Sequence, residues 1–224
     1  MTAHFLTRAT LAPAQHNVGA LLADAAALDH GHRLVWTLFP SEPEDRIERS
    51  FLYRAIDGRS FLVLSETPPR DDHALWRFAD PKSYEPEPRA GEHYGFILRA
   101  NPVMAVRTQN QQSIRVDAVM HAKQAAKRAG QHWGREEEEA AALNWLWKRE
   151  ATIGVAFDRE SCQAREYRQH RISAKKHAKP IRFSSVDYEG LLTVTDPERF
   201  TVALVNGIGK ARAFGCGLML IRRA

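Results

Sequence analysis

Apolar and polar positions alternate through HFLTRATLA (residues 4–12), a period of two that predicts a β-strand. The period then changes: in VGALLADAAALDHGHRLVWTLF (18–39), Val18, Leu21, Leu22, Ala25 and Leu28 recur at helical spacing and predict an amphipathic helix. Two β-rich runs in RSFLYRAIDGRSFLVLSE (49–66) flank Asp57-Gly58, a pair that accepts the backbone angles of a tight turn, so a hairpin is expected. Proline-rich PKSYEPEPRAGEHY (81–94) reads as a loop. The strand YGFILRANPVMAVR (94–107) should end near Asn101-Pro102, where proline has no N–H to donate.

The first half thus reads β-α-β-β-(short helix or loop)-β, the order of a ferredoxin-like unit. Beyond Arg107 the polar stretch TQNQQSIRVD suits a linker. Helices are predicted over 118–130 and 135–150, the second with an acidic first turn and a basic last turn that complement its dipole. Strands joined by basic turns follow, then a helix start at Asp196-Pro197, a glycine-rich loop and a terminal strand LMLIRR. A second small α+β unit is expected there. The division falls at residue 107: an N-terminal domain over 1–107 and a C-terminal domain over 108–224.

Composition narrows the class rather than the chemistry. The chain has 224 residues, is 44% hydrophobic and carries a formal charge of +5, which fits a folded protein and is compatible with a nucleic-acid partner. Two cysteines, Cys162 and Cys216, form no CxxC pair and support neither a disulfide framework nor a cysteine-rich zinc site. No stretch is apolar over the roughly 18 residues that a membrane span needs. A soluble, cytoplasmic protein is expected.

The loop GIGKARAFGCGL (207–218) looks first like a phosphate cradle. The dinucleotide fingerprint would require glycine where Arg212 stands, and the Gly-Lys-Ser/Thr of a P-loop is missing. Both templates also place a strand before the glycines, whereas DPERFTVALVN reads as a helix. Charge is concentrated elsewhere: Arg165, Arg168, His170, Arg171, Lys175, Lys176, His177, Lys179 and Arg182 fall in one interval. Such a run is commonly a solvated face, but on a projecting hairpin it can lay cations along RNA phosphates. His30 and His32 lie two residues apart on the predicted helix and so do not share a face, which argues against a metal site and leaves surface histidine or proton-transfer group as readings. No nucleophile elbow surrounds Ser60, Ser161 or Ser184. Leu143, Trp145 and Trp147, at helical spacing, read as helix core or interface.

Several separated stretches together resemble the CasE-type CRISPR RNA-processing endoribonucleases of type I-E systems, in the RAMP superfamily. They are FLTRATLA, a histidine shortly before LVWTLFP, FILRANP (96–102), the EEAAALNWL helix, VDYEGLLTVTDPERF (186–200) and the closing GIGKARAFGCGLMLI. The resemblance runs end to end. It implies an α+β fold of two tandem ferredoxin-like, RRM-like domains and a glycine-rich loop whose backbone closely approaches RNA phosphates or the adjoining domain, with Lys210 and Arg212 supplying charge. It also implies a catalytic histidine at the end of the first helix, matched by His32, with His30 the alternative if the alignment slips by two. A tyrosine common three residues before that histidine is replaced by Asp29, assigned to orienting His32 or raising its pKa. Lys179 matches a basic residue that would stabilise the phosphorane or position phosphate, and Arg33, Arg165, Arg168, Arg171, Lys175, Lys176 and Arg182 are candidate RNA contacts. The implied activity is metal-independent cleavage at the 3′ base of the CRISPR repeat hairpin, without a cofactor. The product would be kept as crRNA in the Cascade complex with its other subunits, a face near Trp145 or Trp147 serving that assembly. A non-catalytic RRM-like module that holds crRNA is the alternative, and a structural protein that binds only partner subunits is a third reading.

Overall fold

A computed structural model of the chain describes residues 3–12, 31, 34–39, 51–72, 74–108, 110–172 and 180–224. The first sheet contains β1 (Phe5–Leu11), β2 (Phe51–Ala55), β3 (Ser60–Ser65) and β4 (Trp76–Phe78) in the order β2-β3-β1-β4, with β5 (Lys82–Ser83) also pairing β1. Every pairing is antiparallel. The expected hairpin at Asp57-Gly58 is present, and the Asp57 carboxylate caps the turn by accepting from the backbone N–H groups of Arg59 and Ser60, both at 2.7 Å. Gly31 and residues 34–36 are helical, and Leu34, Val35 and Leu38 pack on Ala9, Phe51, Tyr53, Phe61, Val63 and Trp76.

The second sheet contains β6 (His93–Ala100), β9 (Val155–Phe157), β10 (Gln163–Ile172), β11 (Ile181–Val194) and β12 (Met219–Arg223), in the order β10-β11-β6-β12 with β9 on β11. Numbering the main strands of each sheet from one, both read 2-3-1-4, so the chain repeats one ferredoxin-like topology in tandem. The chain passes from the first sheet to the second between Ser83 and His93. The division expected at residue 107 therefore does not follow the sheets. YGFILRA does not close the first unit: Phe96 and Leu98 pair with Gly190 and Tyr188 on one side and with Ile221 and Met219 on the other. The strand that closes the first unit is β4, whose brevity hides it from a pattern argument.

The expected linker is also structured. Val103–Arg107 (β7) and Ser113–Asp117 (β8) form an antiparallel hairpin, its strands set off by Pro102 and by the turn after Thr108. Asp117 then caps helix α1 (Ala118–Arg128), accepting from Met120 N at 2.9 Å. Its second oxygen takes the Tyr167 and Ser184 hydroxyls, which ties this cap to both strands of the β10/β11 hairpin.

Helix α2 spans Arg135–Trp147, with Glu136, Glu137 and Glu138 in its first turn; α3 (Glu150–Ile153) follows. The basic last turn expected for α2 is not found, because the helix stops before Lys148 and Arg149. Arg149 instead folds back over Trp145, its guanidinium carbon 3.6 Å from the ring centroid, and donates to the carbonyls of Trp145 and Val103. Burial lowers its pKa to about 10. Helix α4 (Pro197–Asn206) begins as expected, with Asp196 accepting from Arg199 N at 3.1 Å and proline in the first turn, where its missing N–H is harmless. Leu143, Trp145 and Leu146 from α2 and Phe200 and Leu204 from α4 cover Tyr94, Phe96, Leu98, Tyr188 and Leu192 of the sheet. Trp145 is thus core, its indole N–H bonded to the Val103 carbonyl at 2.9 Å.

The two sheets meet through Leu52, Leu64 and Leu218, with Leu6, Leu62, Leu220 and Tyr84 packed around them. No helix among the described residues is long and apolar enough to cross a membrane.

Candidate nucleic-acid interface

The basic interval lies on the hairpin of β10 and β11. Arg171 and Arg182 are direct cross-strand partners, both exposed, and no acidic side chain pairs with either among the described residues. Two guanidinium groups held side by side on an extended ribbon make a local site for polyanion, since each offers donors matched to phosphate oxygens. Arg168 and Arg165 are also exposed but partnered, Arg168 by Glu166 and Arg165 by Glu189 at 3.5 Å. A β-bulge separates them, centred on Glu166 with φ of 57°, and it shifts the register between Arg165 and Arg168. Lys175, Lys176 and Lys179 lie outside the described residues, as do Asp29, His30, His32 and Arg33.

The opposite side of this hairpin carries an aromatic stack. His170 faces its register partner Phe183 with ring centroids 4.7 Å apart, and Phe183 stacks on Phe214 at 4.8 Å. The His170 Nε2 atom lies 2.8 Å from the Ser185 hydroxyl. Burial first, then the nearby Arg99 and Arg168 charges, push the His170 pKa below its ordinary value. On the same face Asp187 binds Arg99 through two hydrogen bonds (3.0 and 2.6 Å) and Arg54 of β2 at 3.1 Å, an ion-pair bridge from one sheet to the other. Burial lowers the Arg54 pKa against the pull of Asp187, whereas hydrogen bonding to Asp187 raises that of Arg99.

The glycine-rich loop lies against edge strand β2. A Cβ at Gly207 would sit 2.8 Å from Leu52 Cδ1 and one at Gly215 would sit 3.2 Å from Tyr53 Cε2; both residues have positive φ, 75° and 76°. These glycines therefore admit the adjoining domain. Arg212 is drawn inward, donating to the carbonyls of Gly207 (2.9 Å) and Gly209 (3.3 Å), while Lys210 is exposed and its backbone bridges Asn101. The Tyr53 hydroxyl closes the contact by donating to the Ala213 carbonyl at 3.0 Å.

Sequence reasoning named the arginines of the hairpin but not Arg54, Asp187, Tyr53 or Phe214. Nothing in their local pattern marks them, because their partners lie far along the chain, 133 residues away for Arg54 and Asp187 and 160 for Tyr53 and Ala213.

The fold and this ribbon define a tandem ferredoxin-like protein that presents an arginine-bearing hairpin beside the junction of its two sheets. Residues 4–223 match the family model described as CRISPR associated protein. The chain is 28% identical over 193 residues to the CRISPR system Cascade subunit CasE of Escherichia coli strain K12, covering 84% of this chain and 88% of that one. It is 26% identical over 204 residues to the CRISPR-associated endoribonuclease Cse3 of Thermus thermophilus, covering 89% and 84%. The structure of Thermus thermophilus Cse3 bound to an RNA representing a pre-cleavage complex matches with a TM-score of 0.68 at 24% identity, over 98% of this chain and 99% of the other. The chain belongs to the CRISPR-associated protein family and is of the CasE type.

Proposed function

We propose that this chain is an endoribonuclease that processes CRISPR precursor RNA, cutting at the 3′ base of the repeat hairpin and retaining the product as a Cascade subunit. The observation that carries the reading is the cross-strand pair Arg171 and Arg182 on a hairpin beside the sheet junction, in a chain whose relatives are a Cascade subunit and a CRISPR endoribonuclease. RNA hairpins are read largely through shape and phosphate, which suits an arginine-bearing ribbon. Arg165, Arg168, Lys210, Lys175, Lys176 and Arg33 are further RNA contacts in the proposal, whereas Arg212 braces the loop through the Gly207 and Gly209 carbonyls.

RNA carries its own nucleophile. The 2′-OH attacks the adjacent phosphorus as the bond to the 5′ oxygen breaks, giving a 2′,3′-cyclic phosphate and a 5′-OH. The 2′ proton must leave and the 5′ oxygen must gain one, and His32 moves a proton in this exchange, a task to which imidazole as a side-chain type is suited near neutral pH. Lys179 offsets charge on the phosphorane, and Asp29 orients His32. No metal is needed for these steps.

The test is cleavage of a labelled repeat hairpin in EDTA by wild type and His32→Ala, with binding measured in parallel. EDTA should leave the wild-type rate unchanged, and His32→Ala should bind within about twofold yet cut on the order of 10²–10⁴-fold more slowly. A 2′-deoxy substitution at the scissile nucleotide should abolish cleavage; cleavage that persists would overturn the mechanism. Wild type that binds but does not cut would make the chain a crRNA-holding module.

A further inference from the structure

Tyr53 is 2% exposed on edge strand β2, with its ring against Phe51 and Phe61. Two other parts of the chain meet on this one side chain. The hydroxyl donates to the Ala213 carbonyl at 3.0 Å, and a Cβ at Gly215 would lie 3.2 Å from ring carbon Cε2, tighter than an ordinary contact. On the helix side, a Cβ at Gly31 would lie 3.4 Å from the hydroxyl oxygen and 3.6 Å from ring carbon Cε2, so Gly31 borders the phenol. Gly31 is the residue before His32 in the sequence. Residues 212–214 form the short 3₁₀ turn between Gly209 and Gly215, and Phe214 at its end stacks on Phe183 of the basic hairpin.

We infer that Tyr53 is a positioning residue for RNA cleavage: its hydroxyl fastens the glycine loop to β2 beside Gly31 and, through Phe214, beside the hairpin that receives RNA. The inference rests on the endoribonuclease reading with His32 as the proton-transfer group. A ring alone would fill the space between Phe51 and Phe61. What the hydroxyl adds is a directed bond to a backbone carbonyl, which fixes the lateral placement of the loop against β2. Catalysis by alignment is steep in distance, a displacement of about 1 Å costing up to about 10²-fold.

Tyr53→Phe keeps the ring and removes the hydroxyl, and with it the bond to the Ala213 carbonyl. Single-turnover cleavage at saturating repeat hairpin RNA, the dissociation constant for that RNA and the melting temperature are measured for wild type, Tyr53→Phe and His32→Ala. The expected result is a roughly tenfold lower rate for Tyr53→Phe, with affinity within about twofold and the fold intact at the assay temperature. A packing role alone would lower the melting temperature and leave the saturated rate unchanged. A Tyr53→Phe rate within twofold of wild type overturns the inference, as does a loss of rate that merely tracks a loss of RNA affinity or of folded protein. If His32→Ala cuts as fast as wild type, the underlying reading fails; if His32→Ala is slow and Tyr53→Phe is fast, the Tyr53 inference alone fails.

Discussion

Two groups near the sheet junction carry predictions that rest on single side chains. His170 is held below its ordinary pKa, about 6.5 in free peptides, by burial and by Arg99 and Arg168. The folded chain therefore binds this proton less readily than the unfolded chain, so its contribution to stability is complete above about pH 6.5 and is lost as pH falls through the folded value. Urea unfolding at pH 7.5 and 5.5 should show that loss, and His170→Gln should reduce it. In an NMR titration the imidazole midpoint should lie below about 6.5. Asp187 is the second group. Its removal leaves Arg54 and Arg99 facing one another, with their side chains 16% and 28% exposed. Asp187→Ala should cost on the order of 2–3 kcal/mol in denaturant unfolding, less than the roughly 3–5 of fully buried pairs because these groups keep some water. His170 was legible only as one member of the basic interval, and Asp187 was not legible as a site at all. Asp187 reads locally as one more polar position of a strand, and only pairing across the two sheets gives it a role.

The hairpin of β10 and β11 shows where local pattern suffices. Its basic interval was readable from composition, and the antiparallel pairing of β10 with β11 makes Arg171 and Arg182 direct partners. Replacing both by alanine should weaken RNA binding and flatten the dependence of log affinity on log salt by about 1 to 2, since each released phosphate contact contributes about 0.7 to 0.9. Fluorescence anisotropy over a salt series measures this directly; an unchanged slope would place the RNA elsewhere. Helix starts were readable for the same reason, as Asp196 and Pro197 act within one turn. Polar composition misled at residues 108–117, where the alternation of Ser113-Ile114-Arg115-Val116-Asp117 spans only five largely exposed residues and follows the polar run Thr108–Gln112. The end of α2 was misplaced because Lys148 and Arg149 suit a helix terminus electrostatically, whereas Arg149 gains more from the Trp145 face and two carbonyls.

At the scale of the whole molecule, the sequence indicated a repeated unit but not where one copy stops, because sheet membership is decided by distant partners. β6 follows the first sheet in sequence and yet pairs only with β11 and β12, which lie about ninety or more residues further on. The junction this creates is small and apolar, Leu52 and Leu64 against Leu218, with the Arg54 and Asp187 pair beside it. Gly207 lies at this junction, against Leu52. Alanine there would combine an unfavourable backbone angle, φ of 75°, with a Cβ 2.8 Å from Leu52 Cδ1 and 3.2 Å from the Gly217 carbonyl oxygen. A methyl cannot be accommodated by side-chain rotation alone, since one of the crowded atoms is backbone. Leu52 must turn aside and the loop must shift locally at Gly217. Gly207→Ala should lower stability by about 1–3 kcal/mol, and it should slow cleavage more than it weakens RNA binding, because the hairpin lies on one sheet while the Gly31 helix segment lies on the other. Unfolding followed by tryptophan fluorescence reports Trp76 in the first core and Trp145 in the second. Coincident transitions at wild type that split in Gly207→Ala would show that this junction couples the two halves. Transitions that stay coincident with an unchanged cleavage rate would mean that the glycine serves loop geometry alone.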